Sequence, residues 1–561
     1  MTEEKKVLPI GEDDFRRIHE DDGYYVDKTL MIKDFIRYKN RVTLITRPRR
    51  FGKTLNMTML RDFFDIEQES RDIFDGLQIM KTEYAELINT VPVISLSLKG
   101  SSGSSVGKIE ASIAEEVFKE YKKYAKPLAN VGKTDDAYLR FFQTLEMFRN
   151  MPEKKGEDST VLVEHIQNNL VYLENSLAYL MEALYTFYKI RPIVLIDEYD
   201  DPIIEAHKGN FRSEFTSFYA TFLTKALKGN PHLGQALLTG IQRVAKESIF
   251  SKLNNIVVYN VLDEQYATYF GLTEAETSKL LEYYDLKLND DVKSYYDGYH
   301  FAGIDIYNPW SVLSYASKKK LKSYWLYTST NALIHEAVKS TDDEFHRVFE
   351  KLIKDGQVTV RVDLEASFAE LPKTSTLWGL FVNAGYLTVI HEDYRRNRFT
   401  LRIPNEEIKS EFEGLVSTYT KLSDDRLKDM FDALTTGKMD EFLTIYKKLV
   451  LESTSYHDAR ENAYHMLMLG MVMHLRELYD ITSNIESGHG RSDLIMKSKD
   501  VKRSHIVIEF KQGENIEKLK HEALEQIEEQ KYHTGLTGNV LCVGVAHHKK
   551  RCELAHKLIT V

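Results

Sequence analysis

The chain reads as an α/β protein in three parts: an N-terminal unit with a mostly parallel sheet, a mainly helical middle, and a C-terminal α/β unit. Three observations predict this. In the first half, short apolar runs alternate with longer helical patterns, as in strands joined by crossover helices. From about Leu262 the texture changes to shorter helices with aromatic turns, and near the C-terminus strand, helix and strand patterns return. A length of 561 residues exceeds what one core supports, so the expected boundaries fall at 1–261, 262–423 and 424–561.

In order, residues 41–46, 91–98, 192–196 and 233–239 predict strands of the first sheet. Between the second and third lie the flexible stretch KGSSGSSVGK and a helical pattern over 163–188. In the middle, YYDGYHF at 295–301 carries an Asp-Gly turn, and YNPWSV at 307–312 is punctuated by Pro309. Amphipathic helices are expected at 424–435, 439–451 and 461–479. The last section predicts strands at 492–497 and 504–510, a helix at 517–532 and a strand at 539–545.

Apolar residues make up 43% and charged residues 29%, with 11 prolines, the balance of a folded globular chain. The first residues, MTEEKKVLPIGEDD, lack a signal-peptide core, and no window is apolar for the length of a membrane span. The two cysteines, Cys542 and Cys552, cannot make a zinc site alone and fit a reducing compartment. A cytoplasmic protein without a membrane partner is the expectation. A net charge of −10 gives no overall pull toward nucleic acid, so such contact would come from local basic runs at Lys318–Lys320 and His547–Arg551.

Two motifs in the first part carry phosphate chemistry. TRPRRFGKT, at 46–54, follows an apolar strand and ends in Gly52, Lys53 and Thr54. A turn between strand and helix aims backbone N–H groups at phosphates, lysine reaches the β and γ oxygens, and threonine holds magnesium. Arg47 stands where such a loop usually opens with glycine. IVLIDEYD, at 193–200, is a second buried-type strand ending in Asp197, placed to hold magnesium, and Glu198, placed to polarise water. A third strand ends at Thr239, followed by Arg243. Thr239 can contact the γ-phosphate or attacking water, and Arg243 is either a charge-neutralising group or a surface ion pair. Arg47, Arg49 and Arg50 either add positive charge around the phosphates or hold the loop through salt bridges, and Phe51 completes the candidate nucleotide loop.

A third motif, ESGHGRSDLIMKSKDVKRSHIVIEFKQ, spans 486–512. Two strands flank a polar turn near Val501, which sets Asp493 opposite Glu509 or Phe510, with Glu509 and Lys511 on one face. Paired carboxylates suit magnesium or manganese, Glu486 can complete such a site, and a lysine can orient water. His489 and the pair His547 and His548 lack the partner spacing of metal ligands. Taken singly, each motif also has a plain reading, a capped strand exit or a cross-strand ion pair.

Together, LPIGEDDF, YYVDKT, RPRRFGKT, LIDEYD, LLTGIQRVAKESIFSKLNN and the middle strings resemble the prokaryotic AAA-ATPase-like family with a C-terminal PD-(D/E)XK nuclease domain. The resemblance spans nearly the whole chain. It implies an AAA-like phosphate-loop ATPase using ATP and magnesium, in which the arginine-rich loop is the usual form. It implies a metal-dependent nuclease core of Asp493, Glu509 and Lys511, supported by Gln526 and Tyr532 from the next helix, acting on DNA or RNA. It also implies that such modules often assemble, with Arg243 as a candidate to reach a neighbour's nucleotide. The alternative is a nucleotide-dependent switch or scaffold that binds nucleic acid or protein without cutting.

Overall fold

The computed structural model describes residues 5–132, 135–152, 160–209, 211–243, 253, 255–325, 345, 348–349, 351–352, 356–364, 374–393, 395–409, 412, 424–453, 475, 478–487, 490–549 and 551–561. The chain separates into two compact units, Met1–Thr328 with Gln357–Ile408, and Ser329–Gly356 with Lys409–Val561. Among the described residues, no helix is long and apolar enough to cross a membrane.

The first unit is built on five parallel strands, β1 (Val42–Thr46), β2 (Val93–Ser97), β3 (Ile193–Asp197), β4 (Ala236–Gly240) and β5 (Ile256–Tyr259), in the order β2-β3-β4-β1-β5. Every residue of β1, β3 and β4 is buried. Strands covered on both faces cannot alternate apolar and polar, which is why VTLIT, IVLID and ALLTG read as continuous runs. Helices Val106–Ala125, Asp136–Arg149, Leu170–Tyr188 and Arg212–Leu227 share one core with Leu44, Leu96 and Ile196. The stretch expected as one helix over 163–188 is two, Thr160–Asn168 and Leu170–Tyr188. Asn169 divides them because its side chain takes the His165 carbonyl at 2.8 Å and competes with the backbone ladder.

After this sheet the chain forms helices Glu274–Tyr283, Asp290–Tyr296, Pro309–Lys318 and Thr374–Ala384. Two small antiparallel sheets accompany them. One orders β6 (Leu272–Thr273), β7 (Tyr299–Phe301) and β8 (Ile304–Tyr307) as β6-β8-β7. The other orders β9 (Gln357–Val360), β10 (Thr388–Asp393) and β11 (Arg398–Arg402) as β10-β11-β9. Buried Glu407 ties this region together, accepting from Ser311 Oγ at 2.7 Å and from the Tyr324 and Trp325 N–H groups at 2.6 and 2.8 Å.

The second unit carries a five-stranded sheet of β12 (Tyr479–Ser487), β13 (Gly490–Ser498), β14 (His505–Gln512), β15 (Asn539–His548) and β16 (Arg551–Thr560), in chain order. Only β14 and β15 are parallel, because helix Ile516–Glu529 crosses over between them. Leu494, Met496, Ile506, Ile508 and Phe510 pack on helices Asp424–Thr435 and Met439–Ser453. Ile495, Val507 and Cys542 face Ile527 of the crossover helix, the period-two division a strand imposes. Most of the helix expected over 461–479 lies outside the described residues, and Tyr479 opens β12.

His547 was expected on a basic loop. It belongs to β15 instead, 1% exposed, with Nε2 paired to the Tyr446 hydroxyl at 2.9 Å. Burial pushes its imidazole down to about 3, so it adds no positive charge there. Lys318, Lys319 and Lys320 are exposed, with the Lys318 ammonium 5.2 Å from the Tyr324 ring.

Candidate functional sites

The first cluster sits at the C-terminal ends of β1, β3 and β4, where open α/β sheets bind ligands. Parallel pairing with β4 continues past β1, with the Arg47 N–H donating to the Gly240 carbonyl at 3.1 Å. The chain then turns through Arg50, at φ 65°, and Gly52, at φ 80°, into helix Lys53–Phe64. An added Cβ at Gly52 would meet nothing, so glycine is required there for its backbone angle alone. The loop therefore delivers Lys53 and Thr54 at a helix N-terminus.

Thr54 Oγ1 donates to Asp197 Oδ2 at 2.6 Å, and Thr239 Oγ1 donates to Asp197 Oδ1. Two hydroxyls from sequence positions far from Asp197 thus converge on its carboxylate, because β4 lies between β1 and β3. Lys53 is buried, and Nζ donates to the Arg47 and Pro48 carbonyls at 3.1 and 2.9 Å. Burial lowers its pKa, while Glu198, Asp197 and Asp200 pull it back. Adjacent hard oxygens on Thr54 and Asp197 fit magnesium.

Glu198 has φ 51°, and its N–H donates to Asp197 Oδ1 at 3.0 Å. Burial raises its carboxyl to about 7, against the pull of Lys53. Asp200, which sequence reasoning passed over, is 2% exposed and accepts from the Ile241 and Gln242 N–H groups at 3.0 and 3.1 Å. Burial lifts it to about 6. It braces the exit of β4, and Gly240 is glycine because a Cβ would stand 2.5 Å from Asp200 Oδ1. The third acid of the LIDEYD string was the available signal. Arg243 is half-buried just past that exit.

The remaining loop residues are committed to packing. Phe51 is fully buried, its ring centroid 5.0 Å from Tyr299 and 5.3 Å from Phe301. The Arg50 guanidinium stacks 3.5 Å from the Trp310 ring, and Arg49 Nη2 lies 3.9 Å from Asp201. Of the two roles open to these arginines, holding the loop has observed partners.

The second cluster lies on the β13–β14 hairpin. Leu494 pairs with Ile508, which brings Asp493 opposite Glu509. The Asp493 N–H donates to Glu509 Oε2 at 3.2 Å, and the Phe510 N–H donates to Asp493 Oδ2 at 2.9 Å. Glu509 is 5% exposed. Gln526 Nε2 donates to Glu509 Oε1 at 2.5 Å, and Lys511 Nζ donates to Gln526 Oε1 at 2.7 Å. The amide of Gln526 thus bridges carboxylate and ammonium.

Tyr532 was expected on the helix. The helix ends at Glu529, and Lys531 at φ 53° reverses the chain so that the Tyr532 hydroxyl receives Gln526 Nε2 at 3.1 Å. Glu486 pairs with Arg491 in the neighbouring ladder, and its side chain lies outside the described residues, as does His489. Among the described residues, no group of three His, Cys, Asp or Glu side chains is arranged around a metal position. Two facing carboxylates, one nearly buried, still form a donor set of the hard-oxygen kind that magnesium and manganese prefer.

A phosphate-loop cluster in the first unit and a two-carboxylate hairpin in the second are thus the two candidate sites of the chain. Sequence comparison agrees in both halves: the chain carries an AAA-ATPase-like domain over residues 9–250, matching the family described as "Predicted AAA-ATPase", and a PD-(D/E)XK nuclease superfamily domain over residues 459–557. Over 421 residues it is 27% identical to an Azotobacter chroococcum protein described as an uncharacterized protein in the vnfD 5′ region, covering 74% of this chain and 71% of that one. No solved structure matches.

Proposed function

We propose that the protein binds and hydrolyses ATP at the ends of β1, β3 and β4, and cleaves phosphodiester bonds of DNA or RNA at the β13–β14 hairpin. The observation that carries the nuclease reading is the chain from Glu509 through Gln526 to Lys511. An ordinary surface ion pair along the strand would need no bridging side chain. Here the Gln526 amide links them, with the carboxylate and the ammonium on one face of β14. Asp493 and Glu509 would hold magnesium or manganese, and Lys511 would orient a water and steady charge on phosphorus. A divalent cation, when bound, neutralises phosphate charge and acidifies water.

At the ATP site, Thr54 and Asp197 would hold magnesium, Lys53 would reach the β and γ oxygens, and Thr239 would fix the Asp197 carboxylate. Glu198 would take a proton from the attacking water. The division at 1–261, 262–423 and 424–561 belongs to this proposal, supported by matched ranges that fall within the first and within the last segment.

The test is Glu509→Ala in the full chain, assayed with magnesium or manganese on mixed DNA and RNA. Loss of product with ATP turnover retained is expected. Undiminished cleavage refutes the nuclease assignment, and a wild-type protein that binds nucleic acid without metal-dependent product supports the switch or scaffold reading.

A further inference from the structure

Arg47 stands where a phosphate loop usually opens with glycine, and it is 0% exposed. Nη1 donates to the Thr46 and Tyr259 carbonyls at 2.8 and 3.2 Å. The guanidinium carbon lies 5.5 Å from the Phe270 ring centroid and 5.3 Å from that of Phe301. Nε and Nη2 are buried without a hydrogen bond, so ring faces and the Asp263 charge help offset this cation. Burial pushes the guanidinium down to about 9 while Asp263 pulls it up, so it stays cationic at neutral pH. A buried cation is costly where an aliphatic side chain would pack freely. No part of Arg47 is open to a phosphate.

The rest of the loop is held from the same side. An added Cβ at Gly385 would stand 2.9 Å from Pro48 Cβ, and one at Gly271 would stand 3.0 Å from Phe51 Cδ1. Arg50 lies on Trp310, and Phe51 lies between Tyr299 and Phe301. All these partners follow residue 250, where the ATPase family match ends. The carbonyls that receive Lys53 are those of Arg47 and Pro48, the two residues fixed most directly by this wall.

We propose that Arg47 is a positioning residue for nucleotide hydrolysis, locking the opening turn of the phosphate loop into the cradle of Phe270, Phe301 and the Tyr259 carbonyl. The nucleotide site is therefore completed by residues of the segment 259–310 and by Gly385, beyond the recognised ATPase region. This rests on the nucleotide reading above.

The test uses the full-length protein as wild type, Arg47→Lys, Arg47→Met, Phe301→Leu and the Met/Leu double variant. Binding of a fluorescent ATP analogue and steady-state ATP turnover are measured. A misplaced loop should lower kcat roughly tenfold in each of Arg47→Met and Phe301→Leu, with KM changed less than about threefold. The double variant should be no slower than the worse single, because both break one contact, and Arg47→Lys should recover part of the loss. Wild-type turnover in Arg47→Met, or independent losses that multiply in the double variant, overturns the proposal. If Arg47→Met does not fold, Phe270→Leu and Phe301→Leu decide, since unchanged kcat in both overturns it equally. A wild-type protein that binds no nucleotide refutes the nucleotide reading itself, whereas normal binding with an indifferent Arg47 refutes only the positioning role.

Discussion

Replacing Gln526 with leucine removes the amide that joins Glu509 to Lys511 and leaves their strand positions untouched. Two of its bonds involve a charged partner, at 2.5 Å to Glu509 and 2.7 Å from Lys511. Each bond of that kind contributes about 1.5 to 3 kcal/mol. Bound metal would take over part of the Glu509 interaction, so roughly one such bond, about 2 kcal/mol, should be missing from the working site. That predicts cleavage slowed by about 10- to 100-fold, the range seen when residues that orient metal ligands are lost. Initial rates measured against magnesium and manganese concentration would show the half-saturating metal concentration rising. Gln526→Leu with wild-type rate and metal dependence would refute the bridging role, and a loss as complete as in Glu509→Ala would mean Gln526 contributes more than orientation.

Three further outcomes are expected. Lys53→Ala should remove nucleotide binding, measured by calorimetry, and unchanged affinity would move the site elsewhere. Glu198→Gln should keep binding while slowing hydrolysis at least about tenfold, and normal turnover would exclude it as the proton acceptor. His547 has a folded pKa near 3 against an ordinary 6.5, so its stability contribution is complete above 6.5 and falls away as pH drops toward 3. At about pH 5 that loss is about 2 kcal/mol, so His547→Phe should flatten the acid limb of thermal unfolding, and an unaltered limb would refute this.

Much of the scaffold was legible because buried parallel strands must be apolar throughout. VTLIT, IVLID and ALLTG declared themselves, as did the hairpin, where counting outward from Val501 put Asp493 against Glu509. Strand order was not legible. Nothing local to ALLTG says that it lies between β1 and β3, and only that order lets Thr239 share Asp197 with Thr54. The short strands β6 to β8 were hidden because two to four residues show no periodicity. The burial of Arg47 was not legible either, because a charged residue is expected at the surface and its ring partners are more than 200 residues away.

The resting position of Lys53 has a consequence for what the loop will accept. Its ammonium already has two oxygen partners, the carbonyls of Arg47 and Pro48, supplied by the loop itself. Occupancy by a ligand is thus an exchange, with the backbone as standing competitor. A single phosphate offers little to win that exchange, while a chain of phosphates offers several anionic oxygens at once. On the proposed nucleotide reading, the loop would set a charge threshold for entry, and selection for polyphosphates would begin before the base or sugar is read.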